Sequence, residues 1–133
     1  MNSKLDFVAK YRRRAILILV FVVGLHLLLD LIYRPMQFSS GFFDLGFAGS
    51  FTQITAIVGI AMLMVIFDSV KQQRVSIMKE QRYLYIFVPF LAMLAYELLQ
   101  IWYPIATFDT ADMIYCLVAL LVNFIVVKFF VLN

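Results

Sequence analysis

The fold class expected from the sequence is all-α: an integral membrane four-helix bundle with both termini on the inner side. Three observations predict it. First, 65% of the 133 residues are hydrophobic and only 14% are charged, against about 45–50% and about 25% in an average soluble domain. A soluble monomer of this size would leave much of its apolar surface in water, and is excluded. Disorder is excluded as well, because aromatics make up 17% of the chain. Second, the charges fall almost entirely outside four apolar stretches, each long enough to cross a core of about 30 Å at about 1.5 Å per residue. Third, those stretches are continuous rather than alternating. In hydrocarbon only helices and closed barrels satisfy the backbone, and continuous runs are helices.

The whole chain, residues 1–133, reads as a single four-span transmembrane domain. The first span covers about 15–33 and is broken only by His26 and Asp30. The second covers about 47–67, with Ser50, Thr52, Gln53 and Thr55 near its start. The third covers about 83–103, with Pro89 inside it and Glu97 and Gln100 near its end. The fourth covers about 111–132, with Asn123 and Lys128 as polar members. A basic start before an apolar run also describes a signal peptide. However, no small-x-small cleavage site follows promptly, and the run is longer than a usual signal core. The single cysteine, Cys116, excludes an internal disulfide and any Cys-cluster metal site.

Topology follows from the basic residues. Lys4, Lys10, Arg12, Arg13 and Arg14 precede the first span, Lys71, Arg74, Lys79 and Arg82 join the second and third, and Lys128 lies near the end of the fourth. Only Arg34 lies on the other side. Ten positive charges against one is a strong positive-inside pattern, so both termini are expected in the cytoplasm, across a bacterial inner membrane. The basic run beside an apolar span is read as a topology and headgroup signal rather than a nucleic-acid site. The segment 68–82 lacks turn residues and is expected to extend the second and third spans as a helical hairpin.

The same topology sorts the carboxylates. Asp6, Asp68 and Glu80 lie among the inner basic residues and are read as solvated. Asp30, Asp44, Glu97, Asp109 and Asp112 lie at or near the outer face, with Arg34 as the only fixed cation there. Ionisable groups inside a span are costly and normally face a partner or a cavity. His26, Asp30 and Arg34 stand four apart and line one stripe of the first helix, and Glu97 and Gln100 share a face of the third. Asp112, Cys116, Ala119 and Asn123 form a stripe of small or polar residues on the fourth. Facing inward, these stripes would enclose a polar pocket open to the outside and floored by Gln53 or Asn123.

Each element also has a plainer reading. A histidine in an apolar helix is more often a packing residue than a ligand. Asp30 with Arg34 also fits a local ion pair, and Asn123 fits a hydrogen bond across helices. The aromatics Phe38, Phe42, Phe43 and Phe47 fit an interfacial belt.

The segment from Glu97 to Ala119 resembles the signature of VanZ-like membrane proteins. That pattern has a Glu and, three residues on, a Gln ending one helix. A loop with Pro, Arg and Asp follows, and a second Asp opens the next helix ahead of Asn and Gly. Glu97, Gln100, Pro104, Asp109 and Asp112 match without a gap. Ala106, Cys116 and Ala119 stand where the family has Arg, Asn and Gly. The Asp-Lys and His-Phe pairs of the family's earlier half are not evident, though Asp44 fits a remnant of the first. The resemblance covers about 23 residues and implies a divergent member with a role near the cell envelope, where some members are linked to teicoplanin resistance. It implies no defined reaction. Arg34 is the candidate to replace the missing guanidinium.

Three functions compete. The first is a site for a polar or phosphate-bearing envelope ligand, built from Glu97, Gln100, Asp109 and Asp112, with Asp30, Arg34 and His26 as further candidates. Clustered carboxylates suit proton exchange or a divalent cation such as Mg²⁺ or Ca²⁺, held by Glu97, Asp109 and Asp112. The second is a non-catalytic accessory subunit of a larger membrane complex, or a homo-oligomer. The third is a small transporter subunit, disfavoured by four short helices with no inverted repeat. There is no Gly-rich phosphate loop, nucleophile elbow or His pair for zinc, so no catalytic residue is assigned. The expected partners are the bilayer, an envelope lipid and a membrane protein, not nucleic acid.

Overall fold

A computed structural model describes residues 2–41, 46–71, 75–102 and 110–133. The described residues are helical apart from short turns, with no strand among them. Helix α1 (Asn2–Leu28) passes through a π-helical turn (Leu29–Tyr33) into α2 (Arg34–Ser40). Helix α3 spans Phe47–Lys71, α4 Val75–Glu80 and α5 Arg82–Gln100; α6 (Thr110–Ile125) ends in a second π-helical segment, Val126–Val131. Four helical segments are long and apolar enough to cross a membrane: Asp6–Ser40, Phe47–Lys71, Arg82–Gln100 and Thr110–Val131.

The later three overlap the stretches expected to span; of the expected helical hairpin over 68–82, the end of α3, α4 and the start of α5 are helical, and residues 72–74 lie outside the described residues. The first helical segment is longer than its expected span: it starts before Ala15 and runs past Tyr33 to Ser40, uninterrupted at Pro35. Proline has no N–H to donate and its ring crowds the carbonyl four residues back. Here the Arg34 N–H bonds Leu29 O, five residues back, and the wider turn passes Pro35 into the first turn of α2, where a proline is tolerated. Gly41 ends α2 with φ +67°, its N–H on Gln37 O at 2.9 Å.

Helix α3 is the centre of the bundle. Half of its most apolar window is buried, against 6% for the first span. Its buried residues fall on two stripes about 100° apart, the angle between successive residues of a helix. Phe51, Thr55, Val58, Met62, Val65 and Ser69 form one stripe; Ser50, Gln53, Ile57 and Ala61 form the other. Two buried stripes let α3 pack against α1 on one side and α5 and α6 on the other. The stripe Cys116, Ala119, Asn123 of α6 is fully buried, and small residues there permit close helix approach. Helices α1 and α5 share no extended contact along their length.

The apolar core lies toward the basic end. Tyr11 and Ala15 of α1, Met62 and Val65 of α3, Tyr85 and Ile86 of α5, and Val127 and Val131 beyond α6 all belong to it. Asp68, expected to be solvated, instead accepts a 2.7 Å hydrogen bond from the Tyr85 hydroxyl, which is buried in that core. A phenol taken out of water needs an acceptor, and Asp68 is the one within reach.

Pro89 lies inside α5 and leaves the Tyr85 carbonyl, four residues back, without its helical donor. Asn123 of α6 fills that gap: its Nδ2 donates to Tyr85 O at 3.0 Å and to Ile86 O at 3.3 Å. Asn123 is therefore a backbone partner rather than a pocket floor, as its plainer reading held. Replacing Asn123 by Leu is expected to cost about 1 kcal/mol, within the range for interhelical hydrogen bonds in membranes. In a Pro89→Ala background the restored N–H can serve Tyr85 O, so the same replacement should cost distinctly less. Equilibrium unfolding of the four members of this double-mutant cycle in mild detergent measures the coupling, and strict additivity would contradict the account.

Candidate ligand-binding site

The polar side chains gather at the end of the bundle opposite the basic core, on both sides of α3. On the α5 and α6 side, Glu97 is buried to 1% exposure. The Gln53 Nε2 donates to Glu97 Oε1 at 2.7 Å. The Gln53 carbonyl in turn accepts from the Thr52 hydroxyl at 2.9 Å. One helical turn from Gln53, the Ser50 hydroxyl donates to Asp112 Oδ1 at 2.5 Å. Asp112 stands close enough to Glu97 to act on it electrostatically, and Cys116 feels both carboxyls. The second oxygen of Glu97, Oε2, is buried and has no hydrogen-bond partner among the described residues.

On the α1 side, His26 Nδ1 and Thr55 Oγ1 are 2.9 Å apart. The Thr55 hydroxyl has one proton, and its own acceptors are the Thr52 and Phe51 carbonyls at 3.2 and 3.4 Å. The contact ties α1 to α3 whichever of the two atoms donates. Arg34 pairs with Asp30 at 3.0 Å, both about 40% exposed, and its guanidinium lies 6.0 Å from the centre of the Phe51 ring. An aromatic row separates the two polar groups: Phe51 packs on His26 and Phe47, and Phe47 on Tyr33 and Tyr115. Phe47 is half-buried at the start of α3, and Phe42 and Phe43 lie outside the described residues. Phe38 is 65% exposed, as a belt residue would be.

The expected site residues therefore divide. Glu97 and Asp112 come together, joined to α3 through Gln53 and Ser50. His26, Asp30 and Arg34 stand on the other side of α3, and Arg34 is engaged by Asp30 rather than by the acids of α5 and α6. Gln100 lies a turn beyond Glu97 on α5 and is half-buried. Asp44 and Asp109 lie outside the described residues. Among the described residues no three His, Cys, Asp or Glu side chains converge to hold a metal ion, so the described part of the acidic cluster does not by itself fit Mg²⁺ or Ca²⁺.

Sequence reasoning did not place Ser50 or Thr55 in the site. The available signal was their spacing: four polar residues within six positions at the start of an apolar span need hydrogen-bond partners in their own or a neighbouring helix.

Because α1 and α5 stay apart, a groove of about 640 Å³ opens between them over α3. Val22, Ala56, Gly59 and Met93 give it apolar walls; His26, Thr52, Thr55 and Tyr96 bring polar groups to it. Thr52 belongs both to this groove and to the chain of hydrogen bonds that ends at Glu97.

Comparison with known proteins gives no match: no family model, curated protein or solved structure is similar to this chain.

The arrangement also makes a statement about stability. Gln53→Leu would strip Glu97 of its one donor, and a buried acceptor left without a partner costs about 1–3 kcal/mol. The Gln53→Leu/Glu97→Leu double variant removes both partners, and most of that loss should be recovered. Thermal unfolding of the three proteins in one detergent is the check.

Proposed function

We propose that this chain is a small integral membrane protein of the cell envelope that binds the polar head of an envelope lipid at its acidic end. The basic end then faces the cytoplasm, with both termini inside, in a bacterial inner membrane. The positive-inside distribution supports that orientation. The VanZ-like pattern of Glu97, Gln100, Pro104, Asp109 and Asp112 supports the envelope assignment.

The observation that carries the reading is the unpartnered Oε2 of Glu97. Buried polar groups are normally paired, and an acceptor kept open inside an apolar span is suited to a donor that arrives with a ligand. Glu97 and Asp112 supply acceptors, so the group recognised is a hydroxyl, amide or ammonium rather than a bare phosphate. The groove beside α3 provides apolar walls for the rest of such a molecule, and Thr52 and Gln53 link it to Glu97.

Under this reading, Glu97→Ala and Asp112→Ala should insert normally but lose lipid that co-purifies with the wild type. Mass spectrometry of lipid extracted from protein purified from native membranes reads the difference. Undiminished lipid in both variants would remove the proposal.

One observation favours a second reading, an accessory subunit in a larger membrane complex. The first span is buried over only 6% of its apolar window, which leaves a full helix face for another protein. A stoichiometric partner recovered from mild detergent, with lipid retention insensitive to Glu97 and Asp112, would favour it.

A further inference from the structure

The basic end of the bundle holds a second cavity, remote from Glu97. It measures about 240 Å³ and is lined by Lys79, Arg82, Lys128, Phe129, Leu132 and Asn133. Three cations reach it from three separate elements: α4, the first residue of α5, and the π-helical end of the fourth span. No Asp or Glu side chain among the described residues lines it. Among the described residues the one side-chain ion pair is Asp30 with Arg34, so none of the three cations has a side-chain carboxylate as its partner. Like charges gathered around one cavity repel each other and hold their arrangement at a cost that an anion would relieve.

The cavity is also built to face a membrane. Lys128 is a cation within an apolar span, and its ammonium lies 5.1 Å from the ring centres of both Phe124 and Phe129. Those contacts hold the lysine near the aromatic surface while its head remains exposed. Arg82 is held in the same way over Tyr83, at 5.1 Å. The Asn133 main-chain oxygen on the cavity wall is taken by Arg14 at 2.7 Å, which ties α1 to the same corner. Phe129 and Leu132 supply apolar wall beside the cations.

We propose that this cavity is a binding site for the phosphate headgroup of an anionic phospholipid, with Lys79, Arg82 and Lys128 as its ligands. A soluble phosphate would use the three cations but not the apolar wall. A zwitterionic lipid would use the wall but bring its own cation. An anionic phospholipid satisfies both, and basic pockets between spans at a membrane surface are suited to such headgroups. The site is independent of Glu97, and rests only on the reading of the chain as a membrane protein.

The test is native mass spectrometry of the full chain in detergent, titrated with phosphatidylglycerol, phosphatidylcholine or inorganic phosphate. The wild type should bind one phosphatidylglycerol in preference to phosphatidylcholine. The Lys79→Gln/Arg82→Gln/Lys128→Gln variant should weaken phosphatidylglycerol binding at least tenfold, since each cation near a membrane surface contributes roughly fivefold. Phosphatidylcholine binding should not change. The Lys10→Gln/Arg12→Gln/Arg13→Gln variant removes the same charge elsewhere and should keep the preference. Equal losses in the two triple variants would show diffuse attraction and overturn the site. Millimolar inorganic phosphate displacing the lipid from the wild type would assign the cavity to a soluble anion and overturn it too. Lys128→Gln alone, which alters an exposed head, should weaken binding about fivefold and serves if the triple variant does not fold.

Discussion

A polar side chain in a long apolar helix has few partners around it, so each must be answered from its own helix or from a neighbouring one. In this protein most of those answers come from α3. Gln53 donates to Glu97 on α5, Ser50 donates to Asp112 on α6, and Thr55 hydrogen-bonds with His26 on α1. Its two buried stripes decide which neighbours it has, and its polar residues decide how each is held. The remaining spans are arranged around this helix, and the first span meets the bundle largely through it.

The consequence is a bundle with two unlike ends. Toward the basic end, Tyr11, Met62, Tyr85 and Val127 make an apolar core that draws all the spans together. Toward the acidic end, hydrogen bonds replace that core, and α1 and α5 separate to leave the groove over Thr52 and Thr55. Hydrogen bonds satisfy particular atoms without filling volume, which is why the polar end is also the open end. Pro89 belongs to the same economy: it breaks the backbone ladder of α5, and Asn123 repairs the break from α6.

Much of the architecture was legible in the sequence because apolar length and charge segregation are one-dimensional signals. The four long apolar helices overlap the stretches that hydropathy marked. The small-residue stripe of α6 was visible at helical spacing and is buried as that spacing implies. The continuation of the first helix past Pro35 had no signal in hydropathy, because it depends on a turn that widens to accept the proline. Asp68 misled because its partner, Tyr85, comes from another helix, which the basic residues that follow it in the sequence do not reveal.

By itself the sequence determined that this is an all-helical chain with four helices able to cross a membrane, and it drew attention to Glu97 and Asp112 as carboxyls in costly places. Only the tertiary structure decided which of the polar residues meet. His26, Asp30 and Arg34 share a stripe, as their spacing requires, yet that stripe turns to a different side of α3 from Glu97 and Asp112. Spacing along one helix fixes which residues share a face. The direction of that face depends on packing against other helices, and here α3 has two buried faces to offer.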